Sequence, residues 1–275
     1  KLWKASMSES NLVAAKAYEE ALVTTLFGPW ASRAVEVANP MPGEAILDLA
    51  CGTGIGLRLM SPLVVASGKI ISVDKDPAML SVAKELFAKI DDSKKARTEW
   101  FDCPAESLNI KPNELDLCTL LQGPNFLSDP KKVLKGVRSA LKPSGRAVGS
   151  AWDRIEENKG HFAIASALEK LGVQPALKPF SMGSPPILRD IFTGSGFVIE
   201  KFYTEQKIIS FNSVKEFVSG VAAGAPATRH AISQLSVSKY EDFFTMVEEL
   251  LADYSSTKGL KLPTQAHIVL AMPAA

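Results

Sequence analysis

Two acidic residues and a run of glycines are the first places in this sequence where residue type and spacing suggest chemistry. Residues 46–56 read Ile-Leu-Asp-Leu-Ala-Cys-Gly-Thr-Gly-Ile-Gly, an apolar strand ending in a glycine turn, and the apolar helical stretch Leu57 to Val65 follows. Such a turn lets the backbone approach a ligand closely and aims a helix N-terminus at it. A dinucleotide loop needs glycines at the first, third and sixth places, and counted from Gly52 the sixth is Leu57. Asp48, four residues before Gly52, puts a carboxylate at the mouth of the loop. There it would repel a pyrophosphate and attract, directly or through water, an ammonium or sulfonium group.

The next apolar strand ends at Asp74, 22 residues after Gly52. An acid at that spacing is placed to accept both hydroxyls of a ribose. A ribose with a cationic tail and no phosphate describes S-adenosylmethionine. Cys51, beside the glycines, has no basic neighbour in sequence to activate it and reads as a small packing residue.

The elements that must position these residues alternate strand and helix as far as Trp152. Ala45 to Leu49, Lys69 to Val73, Thr98 to Phe101, Leu115 to Leu120 and Arg146 to Ala151 suit buried parallel strands. Asp76-Pro77 and Asp129-Pro130 are N-cap and first-turn signals, each opening an amphipathic helix. Pro143, Ser144 and Gly145 should turn the chain. Beyond Trp152 a helical stretch to Met182, a helix from Pro185, a long strand Val198 to Phe211 and a last strand His267 to Met272 follow. Between those strands, Ser213 with Glu216 and Ser238 with Glu241 read as capping boxes of two helices, the second carrying Tyr240, Phe243, Phe244, Val247, Leu250, Leu251 and Tyr254.

The run from Asp48 to Gly54 resembles the first motif of class I S-adenosylmethionine-dependent methyltransferases, in the ubiquinone/menaquinone-biosynthesis-like branch often called methyltransferase type 11. Asp74 to Leu80 is similar to the second motif, Asp102 to Leu108 to the third, and Leu141 to Arg146 to the turn before the fifth strand. The resemblance covers about Asn11 to Ala271 and is strongest over residues 45–152. It implies an α/β, doubly wound, Rossmann-like seven-stranded sheet in the order 3-2-1-4-5-7-6 with the last strand antiparallel, carrying helical cap insertions. One domain is expected over residues 1–275: N-terminal helices and cofactor core at 11–152, a helical cap at 153–184 and 212–262, and a C-terminal helix and edge strands at 185–211 and 263–275.

The resemblance also implies site roles. Gly52 and Gly54 would line the methionine moiety, Asp74 would hold the ribose and Met79 would pack on the adenine, with Asp48, Ala50, Lys75 and Leu121 also among the cofactor-binding residues. Asp102 would accept from the adenine amino group, and the backbone N–H of Cys103 would reach the ring. Tyr18, Trp30, Gln122, Asn125 and Trp152 would surround the transferred methyl, with core filling the alternative for Tyr18 and Trp30. Residues 120–125 lack the histidine that many relatives carry, so the resemblance names no base. His161, after the fifth strand, is the candidate for one, while His267 reads as structural and His230 lies in a helical segment of the cap.

Composition narrows the partners. The 31 Lys and Arg balance 30 Asp and Glu at a net charge of +1 and form no basic stripe, so nucleic acid is not expected. No apolar run reaches the roughly 20 residues of a membrane helix. Three cysteines without metal-ligand spacing suit a cytoplasmic protein with no metal site. The expected partner is a small, hydrophobic acceptor, and the oligomeric state is not set by the sequence. Two rivals remain: a nicotinamide-dependent oxidoreductase, opposed by Leu57 and Asp48, and a non-catalytic cofactor-binding module, opposed by the intact glycines and acids.

Overall fold

In the computed structural model, which describes residues 9–274, the apolar runs at β1, β2, β4 and β5 become largely buried strands, whereas the run Thr98 to Phe101 forms an exposed edge strand with no buried residue. β1 (Ala45–Leu49), β2 (Lys69–Asp74), β3 (Arg97–Asp102), β4 (Leu115–Leu121) and β5 (Leu141–Trp152) are parallel; β6 (Phe197–Phe211), β7 (Ser255–Ser256) and β8 (Gly259–Pro273) complete the sheet. The strand order is β3-β2-β1-β4-β5-β8-β6, with β8 antiparallel to both neighbours. Setting aside the two-residue β7, which pairs with the edge of β8, this is the expected order. The strand period of two sends Leu47 and Leu49 to one face of the sheet and Ile46 to the other.

Helices fill those faces. α1 (Glu9–Tyr18) passes through a nine-residue π-helix, Glu19–Phe27, into α2 (Gly28–Ala38). Then come α3 (Ile55–Val64), α4 (Pro77–Ala88), α5 (Pro130–Ala140), α6 (Lys159–Lys170), α7 (Pro185–Thr193), α8 (Val214–Gly224), α9 (Pro226–Ser233) and α10 (Val237–Leu250). Asp76 and Asp129 cap α4 and α5 by accepting the N–H of Ala78 and of Lys132. These bonds satisfy donors that the first helical turn leaves free.

The structure departs from the sequence reading in four places. Pro143 to Gly145 do not end a helix-to-strand turn but bulge within β5: Leu141 pairs with Leu115 and Arg146 with Leu117. β8 begins eight residues before His267, because Leu260, Leu262 and Thr264 alternate inward along the partner strand β6. α10 is capped by Ser236, which accepts from Lys239, so it starts before the Ser238 box. Its stripe also divides: Phe243, Val247 and Leu251 are fully buried, whereas Tyr240 and Leu250 are exposed.

One core cluster joins the N-terminal helices to α6, α8 and α10 through Trp30, Trp152, Leu168, Phe217 and Phe243. A polar clasp fixes its edge. Asn158 Nδ2 donates to the carbonyls of Arg154 at 3.1 Å and Gln265 at 3.2 Å, while its Oδ1 accepts the Gln265 N–H at 3.2 Å. Asp153 accepts from the Gln265 amide at 2.6 Å. The Gly183 carbonyl can only accept, so the His267 Nε2 at 3.1 Å carries the proton, and Nδ1 takes the Thr204 hydroxyl at 2.9 Å. His267 is therefore structural.

Asn158→Ala should cost about 1–2 kcal/mol, because the Gln265 N–H loses its side-chain acceptor, while the Arg154 and Gln265 carbonyls keep the N–H groups of Glu157 and Asp153. A lowered urea midpoint with an unchanged slope checks it; an unchanged midpoint would show that the clasp carries no stability.

Candidate active site

The glycine turn is held in place by the acid that ends β2. Asp74 Oδ2 accepts the Gly52 N–H at 2.8 Å, and Oδ1 accepts the Asp76 N–H at 2.9 Å. Each oxygen keeps a lone-pair direction for a further donor. Burial pushes the Asp74 carboxyl up, and the two N–H bonds oppose that shift. Gly52 and Gly54 have φ of +55° and +81°. They differ in surroundings: a Cβ on Gly52 would meet nothing within 4 Å, whereas one on Gly54 would stand 3.0 Å from the Ala83 Cβ on α4. Open space therefore lies in front of Gly52, and Gly54 is there for loop-to-helix packing.

Asp48 sits within the wall of this cradle and is only 2% exposed. Its Oδ1 accepts the Thr119 hydroxyl at 2.8 Å, and its Oδ2 has no hydrogen-bond partner. Gly56 makes room for it, since a Cβ there would stand 3.1 Å from Oδ2 and 3.3 Å from a Leu121 methyl. Burial raises the carboxyl to about 7 and the negative neighbour Asp74 adds to the rise, while the Thr119 hydroxyl and the Leu57 backbone N–H oppose it. A buried, half-satisfied carboxylate of this kind is stabilised by a cation.

On the β3 side the reading needs one correction. The Cys103 N–H donates to the Asp74 carbonyl at 3.2 Å, extending the β2–β3 ladder by one residue. It is thus spent and does not face an adenine. Asp102 is exposed beside its ladder partner Asp74, and Lys75 is exposed in the turn that follows. Met79 is half-buried against Ala15, Ala78 and Val82 under α1, and Leu121 is half-buried at the end of β4.

Ala50 and Gln122, at the ends of the adjacent parallel strands β1 and β4, both take left-handed backbone, with φ of +52° and +53°. Strain of this sort is stored where a site over-determines the chain, and this is the point where the strand order reverses. The Gln122 N–H is held by the Ser150 carbonyl at 3.0 Å and hydroxyl at 3.0 Å. Asn125 Nδ2 donates to the Pro179 carbonyl at 2.9 Å. Tyr18, Phe27, Trp152 and Trp30 form a ladder with centroid spacings of 5.1, 5.7 and 5.9 Å. Burial and the charges of Glu19 and Asp74 push the Tyr18 phenol up, so it stays a donor.

Not every expected residue opens to the site. Trp30 is 1% exposed and gives its indole N–H to Thr264 at 3.1 Å, which makes it core. Trp152 is buried beside it. His161 packs on Phe180 at 5.4 Å and Phe217 at 5.7 Å and lines a cavity of about 20 Å³, room for one water. Burial pushes its imidazole down to about 4. Among the described residues no group of three or more His, Cys, Asp or Glu could hold a metal ion, and no helix is long and apolar enough to cross a membrane.

Residues 19–166, more than half of the chain, match the ubiE/COQ5 methyltransferase family. The chain belongs to that family. A demethylmenaquinone methyltransferase of Lactococcus lactis subsp. lactis is 34% identical over 119 residues, covering 43% of this chain and 46% of the relative. The chain spans about half the length of the curated relatives it matches. A crystal structure of a putative methyltransferase from Bacillus halodurans superposes with a TM-score of 0.59 at 11% identity, covering 89% of this chain and 99% of the other. The phosphoethanolamine N-methyltransferase 2 of Haemonchus contortus, in complex with S-adenosyl-L-methionine, gives 0.56 at 16% identity, covering 95% of this chain and 57% of the other. These two share the fold.

In this family member one contributor to the loop escaped sequence reasoning. Glu19, in the π-helix, accepts from the Thr53 hydroxyl and pairs with Arg58 of α3, while Arg58 Nη1 donates to the Thr53 carbonyl at 2.6 Å. The N-terminal helix is thereby bolted to the glycine turn. An acid next to the candidate Tyr18 was the only available signal.

The two glycines should separate in their effects. Gly54→Ala should lower the melting temperature more than Gly52→Ala, since it adds a tight contact to the roughly 1–2 kcal/mol of left-handed strain common to both. Gly52→Ala should instead lose more cofactor affinity, because its Cβ enters the open space. Thermal melts and titration with S-adenosylhomocysteine check this, and the reverse ranking would mean that the turn faces the other way.

Proposed function

We propose that the chain transfers the methyl group of S-adenosylmethionine to a small, apolar acceptor. The observation that carries this reading is the pair of acids at the mouths of β1 and β2, Asp48 buried and Asp74 half-buried. Asp48 keeps an unpartnered oxygen and Asp74 keeps free lone pairs, an arrangement hostile to phosphate and suited to a ribose joined to a cation. The same pair disfavours a nicotinamide dinucleotide. The likeness to relatives named for demethylmenaquinone and for 2-phytyl-1,4-naphtoquinone supports an acceptor built on an apolar ring.

When bound, the cofactor supplies a methyl group on a cationic sulfur that departs as a neutral thioether. The chain has to hold, orient and dry the reacting groups. Asp74 takes the ribose hydroxyls while its N–H bonds keep the carboxylate aimed. Asp48 Oδ2 would take the ammonium of the methionine tail, directly or through water, and that neighbour would favour the ionised carboxylate. Tyr18 and Phe27 close the site from the N-terminal helices, with Asn125 and the Phe180–His161–Phe217 stack as the wall on the acceptor side. His161, neutral at physiological pH and a weak base, belongs to that wall instead of acting on a proton. α6 and α8 to α10 act as the cap that selects the acceptor. Phe217 is its buried anchor, while Phe162, 38% exposed, stands outside. The unpaired cysteines suit a reducing compartment, and we place the chain in the cytosol.

Asp74→Asn should weaken S-adenosylhomocysteine by roughly 1.5–3 kcal/mol, the value of hydrogen bonds to a charged acceptor, and the circular dichroism spectrum should stay that of a mixed α/β protein. Unchanged affinity by calorimetry would remove the ribose assignment.

The pH dependence follows from Asp48. Its carboxyl is raised in the folded chain, so without ligand it contributes stability at acid pH that is lost as pH rises toward about 7. A bound ammonium needs the ionised form, so affinity should move the other way, falling about tenfold between pH 8 and pH 6. Asp48→Asn should remove most of that fall. An equally steep profile in the variant would place the ammonium elsewhere.

A further inference from the structure

The amides at the end of β4 are the polar groups that the cofactor reading leaves unused. Neither Nε2 nor Oε1 of Gln122 has a protein partner, and both atoms are shut away from the surface. Asn125, 3% exposed, has its Nδ2 committed to Pro179 and its Oδ1 unpartnered. One donor and two acceptors are therefore left over within four residues. Buried amides are normally satisfied, and leaving them bare is costly. Gln122 also holds a left-handed backbone that favours glycine, fixed by two bonds from its N–H to Ser150. Gln122 and Asn125 thus bond to residues two before Trp152 and one before Phe180 in the chain, and both of those rings pack against other aromatic side chains.

We propose that Gln122, aided by Asn125, is the specificity-determining group for the acceptor, and that it reads two adjacent oxygens on an aromatic ring, at least one of them a hydroxyl. Nε2 donates to one oxygen and Oε1 accepts the hydroxyl of its neighbour, a bidentate fit for two neighbouring oxygens on one ring. Asn125 Oδ1 accepts from a second hydroxyl where there is one. The ring then lies against the aromatic side chains. This rests on the acceptor site being where methyl transfer places it, but the recognition itself needs no cofactor.

Calorimetric titration with 2,3-dihydroxynaphthalene and 2,3-dimethoxynaphthalene tests it, since the two differ in their hydroxyl donors on the same ring. In the full chain the diol should bind about tenfold more tightly, both with and without saturating S-adenosylhomocysteine. The ratio should fall to near one in Gln122→Met, which keeps the length and loses the amide. It should return in Gln122→Glu, whose carboxyl still accepts both hydroxyls. Gln122→Asn, which tolerates the left-handed backbone, withdraws the amide by one methylene and should lower the ratio too, deciding the matter if the Met variant does not fold. A ratio near one in the unaltered chain means that the amides are met by solvent only, and an unchanged ratio in the variants moves recognition elsewhere; either overturns the proposal. Absence of S-adenosylhomocysteine binding with a preserved diol preference would count against methyl transfer and leave the amide role standing.

Discussion

A single carboxylate gathers two elements of the sheet. Asp74 accepts from Gly52 at the turn after β1 and from Asp76 at the head of α4, so the loop, the end of β2 and the next helix share one anchor. Two backbone N–H bonds make a buried charge tolerable at that place. Its cost is conformational, because the turn that brings Gly52 within reach needs left-handed backbone at Ala50, Gly52 and Gly54. Gly54 bears on Ala83 and Gly56 leaves space for Asp48, so the loop is packed on both sides while its front stays open.

The N-terminal helices complete this arrangement from outside. Nine residues of π-helix bring Glu19 onto Thr53 and Arg58, and they leave Tyr18 and Phe27 beside Trp152. π-helical turns are rare and concentrate where a helix has to re-aim side chains. Here the re-aimed residues join the cofactor side of the molecule to the helices α6 and α8 that carry His161 and Phe217. One continuous aromatic and aliphatic cluster spans that junction, so positions on the two sides are coupled by packing.

Much of the fold was legible because it is written in local patterns. The buried strands read as apolar runs, and Asp76-Pro77 and Asp129-Pro130 marked helix starts that the structure keeps. β8 was half missed, because Pro263, Gln265 and the inward-facing Thr264 disguise a strand in which only Leu260 and Leu262 are apolar before Ala266. In the candidate site, the spacing from Gly52 to Asp74 foretold residues that meet in space. Three things were hidden because they depend on tertiary register: the diversion of the Cys103 N–H to Asp74, the burial of Trp30 behind Thr264, and the embrace of Glu19 and Arg58. His161 was chosen for its residue type and position, and only its aromatic surroundings show it to be a poor base.

Asp48 and Asp74 are the two groups on which cofactor binding depends. A crystal structure of the chain with S-adenosylhomocysteine tests this most directly. The predicted result has the ribose hydroxyls on the Asp74 carboxylate, the ammonium on Asp48 Oδ2 and the sulfur in the open space before Gly52. Density that leaves both carboxylates without the ligand, or a ligand lying away from the carboxyl ends of β1 and β2, would contradict it.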